Sequence, residues 1–150
     1  MYRTIVWATD GSAHADHALP FARELAALTH AKLVVLHAAE IVAAGRASGE
    51  TVLADEPELA GQVREQARAL EADGFDVEVR IEQGRESAAR LIARAAAETG
   101  ADLIVVGTRG HSPYAGALVG SVAQHLLHDA PCPVLAVPSG VREARYSGVT

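Results

Sequence analysis

Apolar residues gather in short runs separated by segments with a helical repeat. Ile5-Val6-Trp7-Ala8, Leu33-Val34-Val35-Leu36, Leu103-Ile104-Val105-Val106 and Val134-Leu135-Ala136-Val137 are unbroken, as in strands covered on both faces. They predict strands over Arg3–Thr9, Lys32–Ala39, Leu103–Val106 and Cys132–Val137. Phe75 to Ile81 alternates instead, with Val77, Val79 and Ile81 set between charged residues, which predicts a half-exposed strand at a sheet edge. Ala15, Ala18, Leu19, Ala22, Leu25 and Ala26 form one helical stripe, and Pro20 within it predicts a kink or one lost hydrogen bond. Pro57 opens a second helix carrying Leu59, Val63, Gln66, Ala67 and Leu70 on one face and ending at Gly74. After a turn at Gly84, Ala88, Leu91, Ile92, Ala95 and Ala96 make a third helix closed by Gly100, and a fourth runs from Val122 to about Asp129. Glu40 to Thr51, rich in Ala, Gly and Ser, has no period and predicts a loop.

Five strands alternating with four helices call for an α/β fold, a doubly wound parallel sheet, because parallel neighbours need crossovers and these are right-handed. The expected strand order is 3-2-1-4-5. Chain direction reverses between the first and fourth strands, and ligands of such sheets bind at the carboxyl ends beside this switch. Asp10-Gly11-Ser12 after strand one and Gly107-Thr108-Arg109-Gly110 after strand four would therefore share one crevice.

Length and composition narrow the function. The 150 residues suit one domain, expected over residues 1–138, with a polar tail over 139–150. Hydrophobic residues reach 49% while aromatics are 4%, so the core must be built from Ala, Val, Leu and Ile. A formal charge of -6 without any basic run argues against a nucleic-acid binder. The single cysteine, Cys132, excludes an intramolecular disulfide and reads as a small buried residue. No stretch has the hydrophobic length of a signal peptide or a membrane span, so a soluble cytoplasmic protein without membrane contact is expected.

The chemistry concentrates in Gly107 to Ser121. Glycines just past a buried strand let a ligand approach the backbone, and Gly120-Ser121 open a helix whose unpaired N–H groups and dipole favour an anion. The same residues also read as turn glycines with Ser121 capping its helix. No Gly-Lys-Ser/Thr follows, so this is not a Walker A loop, and it lacks the Rossmann Gly-x-Gly-x-x-Gly. Asp10 equally fits a ligand contact, a turn residue or a helix N-cap. Arg109, between two glycines, is placed for a phosphate contact. The pairs His14/His17 and His125/His128 lack the further ligands of a zinc site, so no metal site is expected from them.

The spacing Gly, two residues, Gly, nine residues, Gly-Ser, with Asp10-Gly11-Ser12 and Ala130-Pro131-Cys132-Pro133-Val134, resembles the universal stress protein family over Tyr2 to Pro138. That resemblance implies a Rossmann-like, adenine-nucleotide-binding regulatory protein active in stress response. The implied ligand is ATP or a related AMP, ADP or cyclic AMP, with Mg²⁺ as an accompanying ion. It implies Gly107, Thr108, Arg109, Gly110, Gly120, Ser121 and Val122 around ribose and phosphates. Asp10 would face the ribose or adenine and a metal ion, and the backbone of Ala38 or Ala39 would border the base. It also implies a homodimer through Val134, Leu135, Ala136 and Val137, whose apolar edge needs a backbone partner. The chain departs from the family between Gly110 and Gly120, where His111 to Val119 carry no Lys or Arg; weaker discrimination among adenine nucleotides is expected.

Rival classes fit less well. Relatives of this fold that transfer adenylyl groups or hydrolyse ATP use a Ser-Gly-Gly loop or a His-x-Gly-His motif, and Asp10-Gly11-Ser12-Ala13-His14 supplies neither. No nucleophile is paired with a base, so an enzyme is not expected, although slow ATP hydrolysis as a switch is compatible with the pattern. A phosphoacceptor domain would need an acidic pair after strand one and a Lys after strand five; Pro138-Ser139 stand at the latter position. The remaining alternative is an interaction scaffold that binds no nucleotide.

Overall fold

The computed structural model of the chain describes residues 1–11, 13–43, 50–51, 56–108 and 119–139. In chain order the elements are β1 (Thr4–Thr9), α1 (Ala13–Asp16), α2 (Leu19–Thr29), β2 (Lys32–Glu40), β3 (Val42–Ala43), β4 (Glu50–Thr51), α3 (Glu56–Ala72), β5 (Val77–Gly84), α4 (Ala88–Thr99), β6 (Leu103–Gly107), α5 (Ser121–Asp129) and β7 (Val134–Val137). Five of the strands form one sheet in the order β5-β2-β1-β6-β7, each neighbouring pair parallel. Counted without the short pair β3 and β4, this is the expected 3-2-1-4-5. The alternating strand, β5, lies at the edge, as its pattern requires.

Side-chain alternation along the strands divides the core into two clusters. Ile5, Trp7, Leu33, Val35, Leu103 and Val105 face Ala22 and Ala26 of α2 and Val63, Ala67 and Leu70 of α3. Val6, Ala8, Val34, Leu36, Ile104 and Val106 face Ala89, Ile92, Ala95 and Ala96 of α4 and Ala123 and Leu126 of α5. The helix contributions are largely alanines, which lets helices lie close on a sheet of branched residues. Trp7 is the largest fully buried side chain.

Three expectations are corrected. The stripe around Pro20 is not one kinked helix; His17 and Ala18 form a turn between α1 and α2, and Pro20 sits in the first turn of α2. A proline is tolerated there because the N–H it lacks has no intrahelical acceptor. Gly84 does not begin a turn but closes β5 opposite Glu40, with Leu91 Cδ2 only 3.0 Å from where a Cβ would stand. The supposed loop from Glu40 to Thr51 contains the antiparallel pair β3–β4. Helix ends follow the glycines: Gly74 and Gly100 take φ +94° and +66°, and α4 starts on Ser87, whose Oγ accepts the Arg90 N–H at 3.3 Å.

At the amino-terminal edge of the sheet, Asp102 accepts the N–H groups of Arg3 and Thr4 at 2.7 and 3.0 Å. These two bonds, helped by the charge of Arg3, hold its carboxyl below the usual carboxylate range. Cys132 is half-buried; burial, and then the negative charge of Asp102, push its thiol above its ordinary value, which suits packing and not nucleophilic chemistry.

Candidate functional site

The crevice arises from where pairing stops. β1 and β6 are paired only over Ile5–Trp7 and Leu103–Val105. β1 meanwhile stays paired with β2 out to Thr9 opposite His37, and β6 with β7 out to Gly107 opposite Val137. The two central strands thus part at their carboxyl ends while each remains held on its outer side. Between them opens a cavity of about 220 Å³.

Its lining falls into two halves. Ala8, Ala38, Val106, Ala88 and Ile92 of α4, and Ala123 of α5 make an apolar wall of small side chains, with Ala15 of α1 beside it. Thr9, Asp10, Gly107, Thr108, Gly120, Ser121 and Val122 supply backbone and polar groups along the other. Two segments about a hundred residues apart are therefore neighbours, as the strand order requires.

Backbone bonding decides which N–H groups of the described residues Thr108 and Gly120 to Ala123 remain for a ligand. Thr108 N–H donates to the Val137 carbonyl at 3.1 Å, and the Thr108 carbonyl accepts the Gly120 N–H. Neither amide is available. The first intrahelical bond of α5 runs from Gln124 N–H to the Gly120 carbonyl at 3.0 Å. Ser121, Val122 and Ala123 thus keep first-turn N–H groups without intrahelical acceptors, and Gly120 has no side chain to cap them. α4, by contrast, is closed by its own Ser87. These donors, without acceptors within the helix, and the positive end of the α5 dipole lie at the cavity that Gly120 to Ala123 line. Among the described lining residues none carries a positive charge, so these backbone groups are the anion-attracting element there.

Of the expected contacts, Asp10, Ala38, Gly107, Thr108, Gly120, Ser121 and Val122 line the cavity. Ala39 does not: along β2 it points to the opposite face from Ala38, and it is 7% exposed. Arg109 and Gly110, like Ser12, His111 to Leu118 and the tail from Gly140, lie outside the described residues. Ala8, Thr9, Ala15, Ala88, Ile92, Val106 and Ala123 were not expected at the site; the first α4 turn in particular gave no sequence signal. Among the described residues no group of three His, Cys, Asp or Glu converges as a metal site, and no helix is long and apolar enough to cross a membrane.

The family model described as "Universal stress protein family" matches residues 1–138. A universal stress protein of Thermus aquaticus is 40% identical over 139 residues, covering 91% of this chain and 99% of the relative. A universal stress protein crystallised in complex with cAMP is 30% identical with a TM-score of 0.66, covering 92% of this chain and 98% of that one. A universal stress family protein from Burkholderia pseudomallei is 33% identical with a TM-score of 0.69, covering 91% and 96%. A Rossmann-like sheet parted at its switch point, an uncapped helix facing the gap, and these matches along nearly the whole chain agree: the protein belongs to the universal stress protein family.

Proposed function

We propose that the crevice binds an adenine nucleotide, ATP being the expected species, and that the protein serves as a nucleotide-responsive regulator and not as a catalyst. One observation carries this reading. The three first-turn N–H groups of α5, which have no acceptor within the helix, and Asp10 after β1 lie at one cavity with an apolar wall. Phosphate oxygens fit the α5 donors, with the exposed Ser121 hydroxyl beside them. The alanine-rich wall with Ile92 fits a flat base, and Asp10 can accept hydrogen bonds from ribose hydroxyls. The cAMP complex of a 30% identical relative supports the same ligand class.

Arg109 and Gly110 belong, in this reading, to the phosphate side. Mg²⁺ is ordinarily held by one or two carboxylates together with substrate phosphates, so Asp10 fits a role as the protein ligand of an ion that arrives with the nucleotide. Among the described lining residues Asp10 is the one ionisable group, which gives no paired base and nucleophile for turnover. Pairing of two β7 edges, Val134 to Val137, would give a homodimer in which the parallel sheet continues through an antiparallel contact.

The test is to denature the purified protein, identify any released nucleotide by chromatography and mass spectrometry, and titrate the emptied protein with ATP, AMP and cyclic AMP. Recovery of an adenine nucleotide with saturable rebinding is expected. Neither release nor binding would reject the reading and favour an interaction scaffold.

A further inference from the structure

Two buried rings that do not line the cavity hold the turn that does. The His37 Nδ1–H donates to the Thr9 carbonyl at 2.9 Å, and because a carbonyl only accepts, Nδ1 carries the proton. Trp7 Nε1–H donates to the Ala15 carbonyl at 3.1 Å, which also accepts the Ala18 N–H at 3.0 Å. Asp10 and Gly11 follow the first of these anchored carbonyls, and the Gly11 N–H closes the turn onto Thr9 Oγ1 at 3.1 Å. Trp7 and His37 are 0% and 2% exposed. Trp7 belongs to the cluster against α2 and α3, and His37 follows Val35 by two positions on that same face.

We propose that His37 and Trp7 are positioning residues for the crevice: from the far side of the sheet they fix the turn that presents Asp10 and Ala15, and so set ligand affinity. Three features support this. β1 has left its ladder with β6 before Thr9 and is held there from β2 alone, so the ring bond of His37 adds a second restraint from the one strand still paired. Gly11 has φ +78°, and a Cβ there would stand 2.6 Å from Leu59 Cδ2, so the turn is shaped against α3 as well as by its own bonds. Both rings are locked by packing, which makes their N–H groups fixed donors and not mobile ones. A turn held in its bound shape does not have to be ordered when ligand arrives, and that saving appears as affinity.

The nucleotide arm of the test rests on the proposed function; a second arm does not. Wild type, His37→Leu, His37→Asn and Trp7→Phe are titrated with AMP, and exchange of the Gly11 amide is followed by NMR without ligand. Asn places an amide N–H near the site of Nδ1–H, whereas Leu keeps bulk and removes the donor. His37→Leu should weaken AMP binding by about 10-fold and speed Gly11 exchange by a similar factor, with His37→Asn staying within about 3-fold of wild type on both. Trp7→Phe should shift in the same direction. Leu70→Ala, a core truncation in α3 away from the turn, should lower the unfolding temperature and leave AMP affinity in place. Unchanged affinity and exchange in folded His37→Leu would overturn the proposal. So would equal losses in Leu and Asn, or an affinity loss in Leu70→Ala matching its stability loss. If wild type binds no nucleotide, the reading of the crevice fails, and Gly11 exchange alone decides whether the rings hold the turn.

Discussion

Replacing Gly120 with Asp should move stability and binding in opposite directions. Gly120 has φ -64° and ψ 158°, which any L-residue adopts, so the backbone need not change. An Asp there can accept the N–H of Val122 or Ala123, which improves on a glycine cap by a few tenths of a kcal/mol, about 0.3. Its charge at the positive end of α5 adds roughly 0.3–1 kcal/mol. The sum, about 1 kcal/mol, should raise the unfolding temperature of the nucleotide-free protein by about 2–4 °C for a chain of this size. The same carboxylate occupies donors that a phosphate would use. Hydrogen bonds to a charged partner contribute roughly 1.5–3 kcal/mol each, so losing two should weaken phosphate-dependent binding by about 3 kcal/mol or more, near 100-fold. Circular dichroism melts of nucleotide-free protein and calorimetric titration with ATP measure the two effects separately. A folded variant that binds ATP within about 3-fold of wild type would refute a phosphate at α5, with 1.4 kcal/mol per tenfold as the scale. A variant that melts lower would refute the claim that this helix lacks a cap.

Other consequences are open to measurement. Ala38→Leu should fill the apolar wall and weaken adenosine binding at least about 10-fold, a methylene-rich side chain being intolerant of close overlap, while pyrophosphate binding stays unchanged; equal losses for both ligands would count against a divided site. Asp102 has its folded-state ionisation lowered, so its stabilisation is present above the ordinary carboxylate range and is lost as pH falls through its depressed folded value. The unfolding-temperature gap between wild type and Asp102→Asn should therefore be full at neutral pH and close in acid, and a gap independent of pH would contradict the Arg3 and Thr4 bonds. Leu135→Lys in β7 should give a monomer by sedimentation, and an unchanged dimer would refute the β7 interface.

The sheet was legible because buried parallel strands leave unbroken apolar runs and an edge strand leaves alternation. The two arms of the crevice followed from strand order. Bonds between distant backbone groups left no trace in the sequence. The glycines of 107–120 suggest a general cradle, yet the Thr108 carbonyl takes the Gly120 amide, and among the described residues the first-turn donors of α5 are those of Ser121, Val122 and Ala123. Adjacent Ala38 and Ala39 are chemically alike, and only strand parity, fixed by packing against α4, separates the lining residue from its neighbour. His37 reads from sequence as one more polar residue at a strand end. Its bond to Thr9 becomes visible only when β1 and β2 are in register. Pro20 misled because a stripe of alanines continues across a break that the stripe itself does not record.

Thr108 spends its N–H on the outermost strand and its carbonyl on the start of α5. The margin of the sheet and the mouth of the crevice are thus one covalent step apart. A contact made along the free side of β7 would pull on the same residue that seats the helix, with no intervening loop to absorb the strain. Crowding at the rim of this molecule and occupancy of its interior are, through that single residue, mechanically adjacent.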